Sequence, residues 1–221
     1  MGKDIRPHLD SFLCDNSDKS AEQLEELAWR FTASDPDSGL SLALLMMAHF
    51  ETVDALLLAA VSRRTWQLGG ALLPDPAETD SEEYGNLSSM LAENLANAVR
   101  GDPRRILTGA DRIFFEGLPD SFTIYRGCAG LSTDQAARGI CWTTRRDVAE
   151  WFALRAAENE KVDPILLCAT ITKTEVRLAS AHECAVIATP SNSRVLKCRH
   201  QALSELPSPG TWDGVPMSSM H

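Results

Sequence analysis

"SFTIYRG", residues 121–127, is where the pattern of the chain turns from helical to extended. Its β-branched and aromatic content predicts a strand. Side chains two apart share a strand face, so Phe122, Ile124 and Arg126 point together. An arginine that continues an apolar face must meet an anion or reach solvent, because a buried unpaired charge is costly. A guanidinium suits a phosphate or carboxylate in a two-pronged contact. The plainer reading of Arg126 is a side chain that snorkels out at the strand end, with Gly127 in a turn.

Upstream of this strand, residues 19 to 115 read as helices. "SAEQLEELAWRF" opens with Ser20 and, three residues on, Gln23, the spacing of a capping box, and Leu24, Leu27, Ala28 and Phe31 recur at helical spacing. "SDPDSG" is a breaker, and "LSLALLMMAHFETVDALLLAAV" predicts two buried helices or one kinked one. "GGALLPDPAETDSEEYGN" is acidic and rich in Gly and Pro, which predicts an exposed loop. "LSSMLAENLANAVRG" is an amphipathic helix with Gly101 as its stop. "DPRRILTGADRIFFEGL" predicts one last short helix with Pro103 in its first turn.

Downstream, "TTRRDVAEWFALRAAEN" predicts a helix capped by Thr144. "DPILLCATIT", "TEVRLA" and "ECAVIAT" read as strands. The tail from residue 206 is rich in Pro, Ser and Gly and is expected to be irregular. The expected organisation is α+β: a helical N-terminal lobe over 1–118, a strand-dominated body over 119–205, and the tail 206–221.

Composition narrows the classes. With 221 residues, 44% of them hydrophobic and 24% charged, the chain is an ordinary globular one. A net charge of −10 argues against a general phosphate-binding surface, so a site for an anionic ligand must concentrate its few arginines. The six cysteines form no C-x-x-C pair and have no histidine at zinc-finger spacing, which points to reduced buried thiols and no metal. The start lacks a signal-peptide layout, and His49, Glu51 and Asp54 interrupt the most apolar stretch, so no membrane span is expected. The expected location is the cytoplasm, or a target cell to which the protein is delivered.

Two further places depart from plain core patterning. In "GICWTT", residues 139–144, a Gly, a large aromatic and hydroxyls precede a helix start. Trp142 is either core or one wall of a ring-binding pocket. In "SAHECAVIATP", residues 180–190, one carboxylate interrupts an apolar strand. Strand parity puts Glu183, Ala185 and Ile187 on one face and His182 on the other. Glu183 is then either at an edge facing water or inside a cleft, and nothing marks His182 as a catalytic base.

The order "IYRG", "GICWTTRRDVAEWFA", "ILLCATIT", "HECAVIATP" resembles the ADP-ribosyltransferase superfamily, in its bacterial and phage-associated branch. The resemblance covers residues 119–195, and the first two motifs are its most specific part. It implies a split pair of small antiparallel sheets, a β-sandwich with NAD held between them. In that frame Tyr125, Arg126 and Gly127 form the first motif, with Arg126 gripping the NAD pyrophosphate and ribose. Cys141, Trp142 and Thr143 stand for a Ser-Thr-Ser-like motif that props the cleft and orients the glutamate strand. Cys replaces the usual Ser there. Trp151 and Phe152 pack beneath the nicotinamide pocket or line it. The third motif is often Glu-x-Glu, whose first Glu positions the acceptor nucleophile and whose second touches the ribose. Here the two positions are Glu183 and Ala185. Either Glu183 is itself the catalytic carboxylate, or Ala185 stands where a Glu belongs, naturally or by substitution.

The implied function is mono-ADP-ribosylation: transfer of ADP-ribose from NAD, as substrate, to a macromolecular acceptor, protein or nucleic acid. The style is that of a toxin, effector or phage-defence protein with an antitoxin or immunity partner. The alternatives are NAD hydrolysis from the same cleft and a catalytically inactive fold that binds a partner.

Overall fold

A computed structural model describes residues 14–34, 54–67, 81–99, 102–200 and 202–206. The apolar run 40–53, the breaker after Ser34, the Gly101 stop and the tail beyond 206 lie outside the described residues. Among the described residues four helices come first: α1 (Ala21–Ser34), α2 (Ala55–Gln67), α3 (Ser81–Val99) and α4 (Gly109–Gly117). Strand β1 (Ser121–Ala129) follows, then the short helix α5 (Thr133–Ala137), β2 (Cys141–Thr143), α6 (Arg146–Glu160), β3 (Pro164–Thr172), β4 (Leu178–Ser180), β5 (Ala185–Ile187) and β6 (Arg194–Leu196). The protein is a mixed α+β fold.

Local chemistry explains several boundaries. Ser20 and Gln23 form the reciprocal capping box at the start of α1: the Ser20 N–H donates to Gln23 Oε1 at 2.9 Å, and the Gln23 N–H to Ser20 Oγ at 3.3 Å. Helix α3 begins at Ser81, inside the stretch expected to be loop. Glu82 and Glu83 sit in its first turn, where carboxylates complement the exposed N–H groups. The single helix expected over 102–118 is two pieces. Asp102 accepts from the Arg104 N–H to cap a 3-10 turn at Pro103–Arg105, and α4 starts anew after Thr108.

The six strands form one antiparallel sheet in the order β4-β5-β2-β1-β3-β6, rather than two separate sheets. The long pairing of β1 with β3 runs from Ser121↔Thr172 to Ala129↔Pro164. The short strands β2, β5 and β4 form the other half. A single registered pair, Tyr125↔Thr143, joins the two halves. Residues of β1 and β2 on either side of that junction line a cleft.

Each face of the sheet packs on helices. Phe122 and Ile124 on β1 and Leu167, Ala169 and Ile171 on β3 join one core with Leu24, Leu57, Leu91 and Leu95 of the helices. Strand and helical regions thus share a continuous interior. On the opposite face α6 lies directly on β1, and a Cβ on Gly127 would sit 1.7 Å from the Ala149 carbonyl oxygen. Only glycine permits that approach. Two side-chain cages fix the layers. Arg63 of α2, 4% exposed, donates to Asp111, to the Ile106 carbonyl and to Thr108, which also bonds Glu25. Glu150 of α6 is fully buried and accepts from Arg146, the Arg199 N–H, the His200 N–H and the His200 ring. It pins the chain after β6 to α6.

Among the described residues no helix is long and apolar enough to cross a membrane, and no cluster of His, Cys, Asp and Glu is arranged to hold a metal ion. All six cysteines are free thiols; Cys168 and Cys184 are buried, Cys128, Cys141 and Cys198 half-buried, and Cys14 exposed.

Candidate functional site

The cleft at the sheet seam has a volume of about 320 Å3. That is at the lower end of the range for pockets that enclose a small-molecule ligand. Tyr125, Arg126, Gly127, Cys141, Trp142, Thr143, Phe152, Glu183 and Ala185, all singled out in the sequence, line it together. Trp66, Ala149 and His182 complete the wall.

Arg126 follows Phe122 and Ile124 along the core-facing side of β1 and reaches the cleft rather than open solvent. Its Nη1 donates to the Cys141 carbonyl oxygen at 2.9 Å. The guanidinium rests where a side chain on Gly139 would be, since a Cβ there would lie 2.1 Å from its central carbon. Its Nε is buried and makes no hydrogen bond. An orphaned, charge-bearing donor beside a cavity suits an anionic ligand.

The second motif works mainly through the backbone. Trp142 is 2% exposed, and its indole N–H donates to the Gly139 carbonyl at 2.9 Å, so the ring is both core and cleft wall. The Cys141 carbonyl, not its thiol, holds Arg126, and Cys in place of Ser leaves that contact intact. Burial pushes the Cys141 thiol above its ordinary value; Arg126 opposes that and Glu183 adds to it. Thr143 Oγ1 donates to the Glu183 carbonyl oxygen at 2.7 Å and accepts from the Arg145 N–H at 3.1 Å.

Glu183 does not lie on a strand. Residues His182–Cys184 form a 3-10 turn, and β5 begins at Ala185. Glu183 has φ 60° and Cys184 φ 49°, two consecutive left-handed residues that are not glycine. Such conformations cost on the order of 1 kcal/mol each and persist where surrounding bonds over-determine them. The bonds here are Thr143 to the Glu183 carbonyl, the Thr144 N–H to the Cys184 carbonyl at 2.9 Å, and the Ala181 N–H to Asp111 Oδ1 at 2.8 Å. The parity argument for 183 and 185 therefore does not apply, although both residues line the cleft. His182 is on the same cleft wall, its Nε2 3.7 Å from Glu183 Oε1, and not on an opposite face.

Thr144 is not the cap of α6. Arg145 occupies the N-cap position without a side-chain cap bond, and Thr144 Oγ1 instead donates to the Cys184 carbonyl at 3.3 Å. Similarly, "TEVRLA" divides into a 3-10 turn at Lys173–Glu175 and the later strand β4.

No protein-family model, curated protein or solved structure compared with the chain matches it. The geometry of the cleft therefore carries the functional argument alone.

Aromatic surface flanks the charged groups. Phe152 is 36% exposed at the rim and stacks edge-on against Trp151, with centroids 5.2 Å apart. Trp151 carries Arg155 over its ring at 5.0 Å and is not among the residues that line the cleft. Trp66 comes from α2 and has no counterpart in the motifs of the body. Its only sequence sign is a lone large aromatic near the end of a helix that has no other. Ala185, 5% exposed, sits on the cleft wall with its backbone paired to Thr143 and Ser180.

Proposed function

We propose that this cleft binds NAD and serves mono-ADP-ribosyl transfer to a macromolecular acceptor. One observation carries the reading. A guanidinium with an orphaned buried Nε, a set of aromatic walls and a carboxylate on a braced turn converge on one cavity at a sheet seam. An arginine so placed fits a pyrophosphate, which accepts bidentate charge-assisted bonds. Trp66, Tyr125 and Phe152 offer ring faces and edges for a nicotinamide or an adenine. Cleavage of the nicotinamide–ribose bond builds positive charge on the sugar, as glycoside hydrolysis does, and a fixed carboxylate stabilises charge where it develops.

Glu183 is the carboxylate available for that work among the residues lining the cleft. The small side chain at Ala185 supports a second reading, in which this chain is an impaired or silenced transferase. A toxin, effector or defence role belongs to the same proposal, as does an acceptor of protein or nucleic acid.

The test is intact-mass analysis of candidate acceptors incubated with NAD and either this chain or its Ala185→Glu variant. Added ADP-ribose with the variant alone identifies a silenced transferase, and with both proteins identifies Glu183 as sufficient. Nicotinamide release without any acceptor mass shift identifies a hydrolase instead. Absence of NAD binding and of nicotinamide release in both proteins overturns the enzymatic reading.

A further inference from the structure

The turn that carries Glu183 is held from two sides. Thr143 at the end of β2 and Thr144 just after it bond the carbonyls of Glu183 and Cys184. The other side is held by the helices. Asp111, in the first turn of α4 and 5% exposed, divides its carboxylate between two elements. Oδ2 takes the guanidinium of Arg63, from Nε at 3.0 Å and Nη2 at 2.9 Å. Oδ1 takes the N–H of Ala181, at 2.8 Å, the residue that leads into the turn. Arg63 is fixed in its turn by the Ile106 carbonyl and Thr108, so the whole assembly is a rigid buried strut. One helical turn beyond Arg63, α2 presents Trp66 to the cleft.

We infer that Asp111 is a positioning residue for Glu183, and that the helical layer through it is part of the site. The left-handed backbone at Glu183 and Cys184 reverts to a commoner conformation unless both ends of the turn are held. Thr143 and Thr144 hold the carbonyl end, and Asp111 holds the amide end at Ala181. Releasing that end frees the Glu183 side chain to leave the cleft wall. The proposal takes Glu183 as the working carboxylate and so rests on the reading above, but its decisive readout is the turn itself.

Two variants separate the tether from the ion pair. Ala181→Pro removes the N–H at a residue whose φ of −64° proline adopts, and its ring carbon, standing where the hydrogen stood, also pushes Asp111 Oδ1 away. Asp111→Asn weakens the ion pair but keeps an oxygen for the Ala181 N–H. Amide hydrogen exchange is followed by mass spectrometry in the full chain. Ala181→Pro is expected to speed exchange over residues 182–187 about tenfold, the scale for loss of one charge-assisted bond, with peptides from α2 and α4 no faster than in Asp111→Asn. Asp111→Asn is expected to keep the turn close to wild type. Where nicotinamide release from NAD is measurable, Ala181→Pro should lower kcat on the order of ten- to a hundredfold with KM unchanged. Unchanged exchange over 182–187 in Ala181→Pro overturns the inference, and so does faster exchange with undiminished kcat. Faster exchange in a chain that neither binds nor cleaves NAD upholds the tether and removes the transferase reading alone.

Discussion

The guanidinium of Arg126 occupies the space that any side chain at Gly139 would need, 2.1 Å from the position of its Cβ. The glycine ahead of β2 is thus what allows a cation on β1 to lie against the turn. The Cys141 carbonyl then fixes its direction at 2.9 Å. The cavity, the turn and the cation form a single feature.

Gly139→Ala is therefore expected to displace the guanidinium and weaken NAD binding as much as Arg126→Ala does. Calorimetric titration with NAD checks both. Arg126→Ala removes one backbone hydrogen bond and should cost only about 1 kcal/mol of stability in chemical denaturation. NAD affinity in Gly139→Ala equal to that of the parent would show that the arginine does not set it.

Thr143→Val keeps the shape of the side chain but removes the bonds to the Glu183 carbonyl and from the Arg145 N–H. With buried polar groups left unmatched, the loss should be about 2 kcal/mol. Thr144→Ala should cost less, because the Cys184 carbonyl still accepts from the Thr144 N–H and from Thr143 at 3.2 Å. Urea denaturation of the two variants checks the order, and a larger loss in Thr144→Ala would make Thr144, not Thr143, the main brace of the turn.

Trp66→Ala tests whether the helices contribute to ligand binding. The ring lines the cleft while also packing against the core. Loss of one aromatic contact should raise the NAD dissociation constant by up to about tenfold. Trp66→Phe should recover most of it. Equal affinities in all three proteins would place Trp66 outside the ligand's reach.

Much of the body was legible because its patterns are local. Alternation marks β1 and β3, and the face shared by Phe122, Ile124 and Arg126 follows from period two alone. The order of motifs pointed to residues that prove to line one cleft. The Glu183 turn was not legible, since "HECAVI" has strand composition and its left-handed backbone depends on remote bonds from Thr143 and Asp111. Thr144 misled for a related reason: a hydroxyl before a helix reads as a cap, but a nearby carbonyl competes for it. Trp66 reaches the cleft only through the packing of α2, which no spacing within the body encodes.

Glu150 gives the fold a dependence on pH. Burial disfavours its charge, but hydrogen bonds from Arg146, His200 and the backbone of Arg199 and His200 outweigh that and hold its carboxyl below the ordinary 4.5. A lowered native value means that the unfolded chain binds more protons on acidification. The contribution to stability is thus complete above the unfolded value and lost as pH falls through the folded one. Thermal melts from pH 7 downward should show the parent losing Tm more steeply below pH 4.5 than Glu150→Gln, with the two curves converging in acid. Parallel curves would mean that folding does not lower the Glu150 carboxyl at all.

The central claim is that the seam between the two halves of the sheet is an NAD site gripped by Arg126. Isothermal titration of NAD into the chain and into Arg126→Ala tests it most directly, because binding does not depend on what stands at position 185. The account predicts saturable binding of one NAD per chain and its loss in the variant. Absence of binding to the parent, or equal affinity in the two, would contradict it.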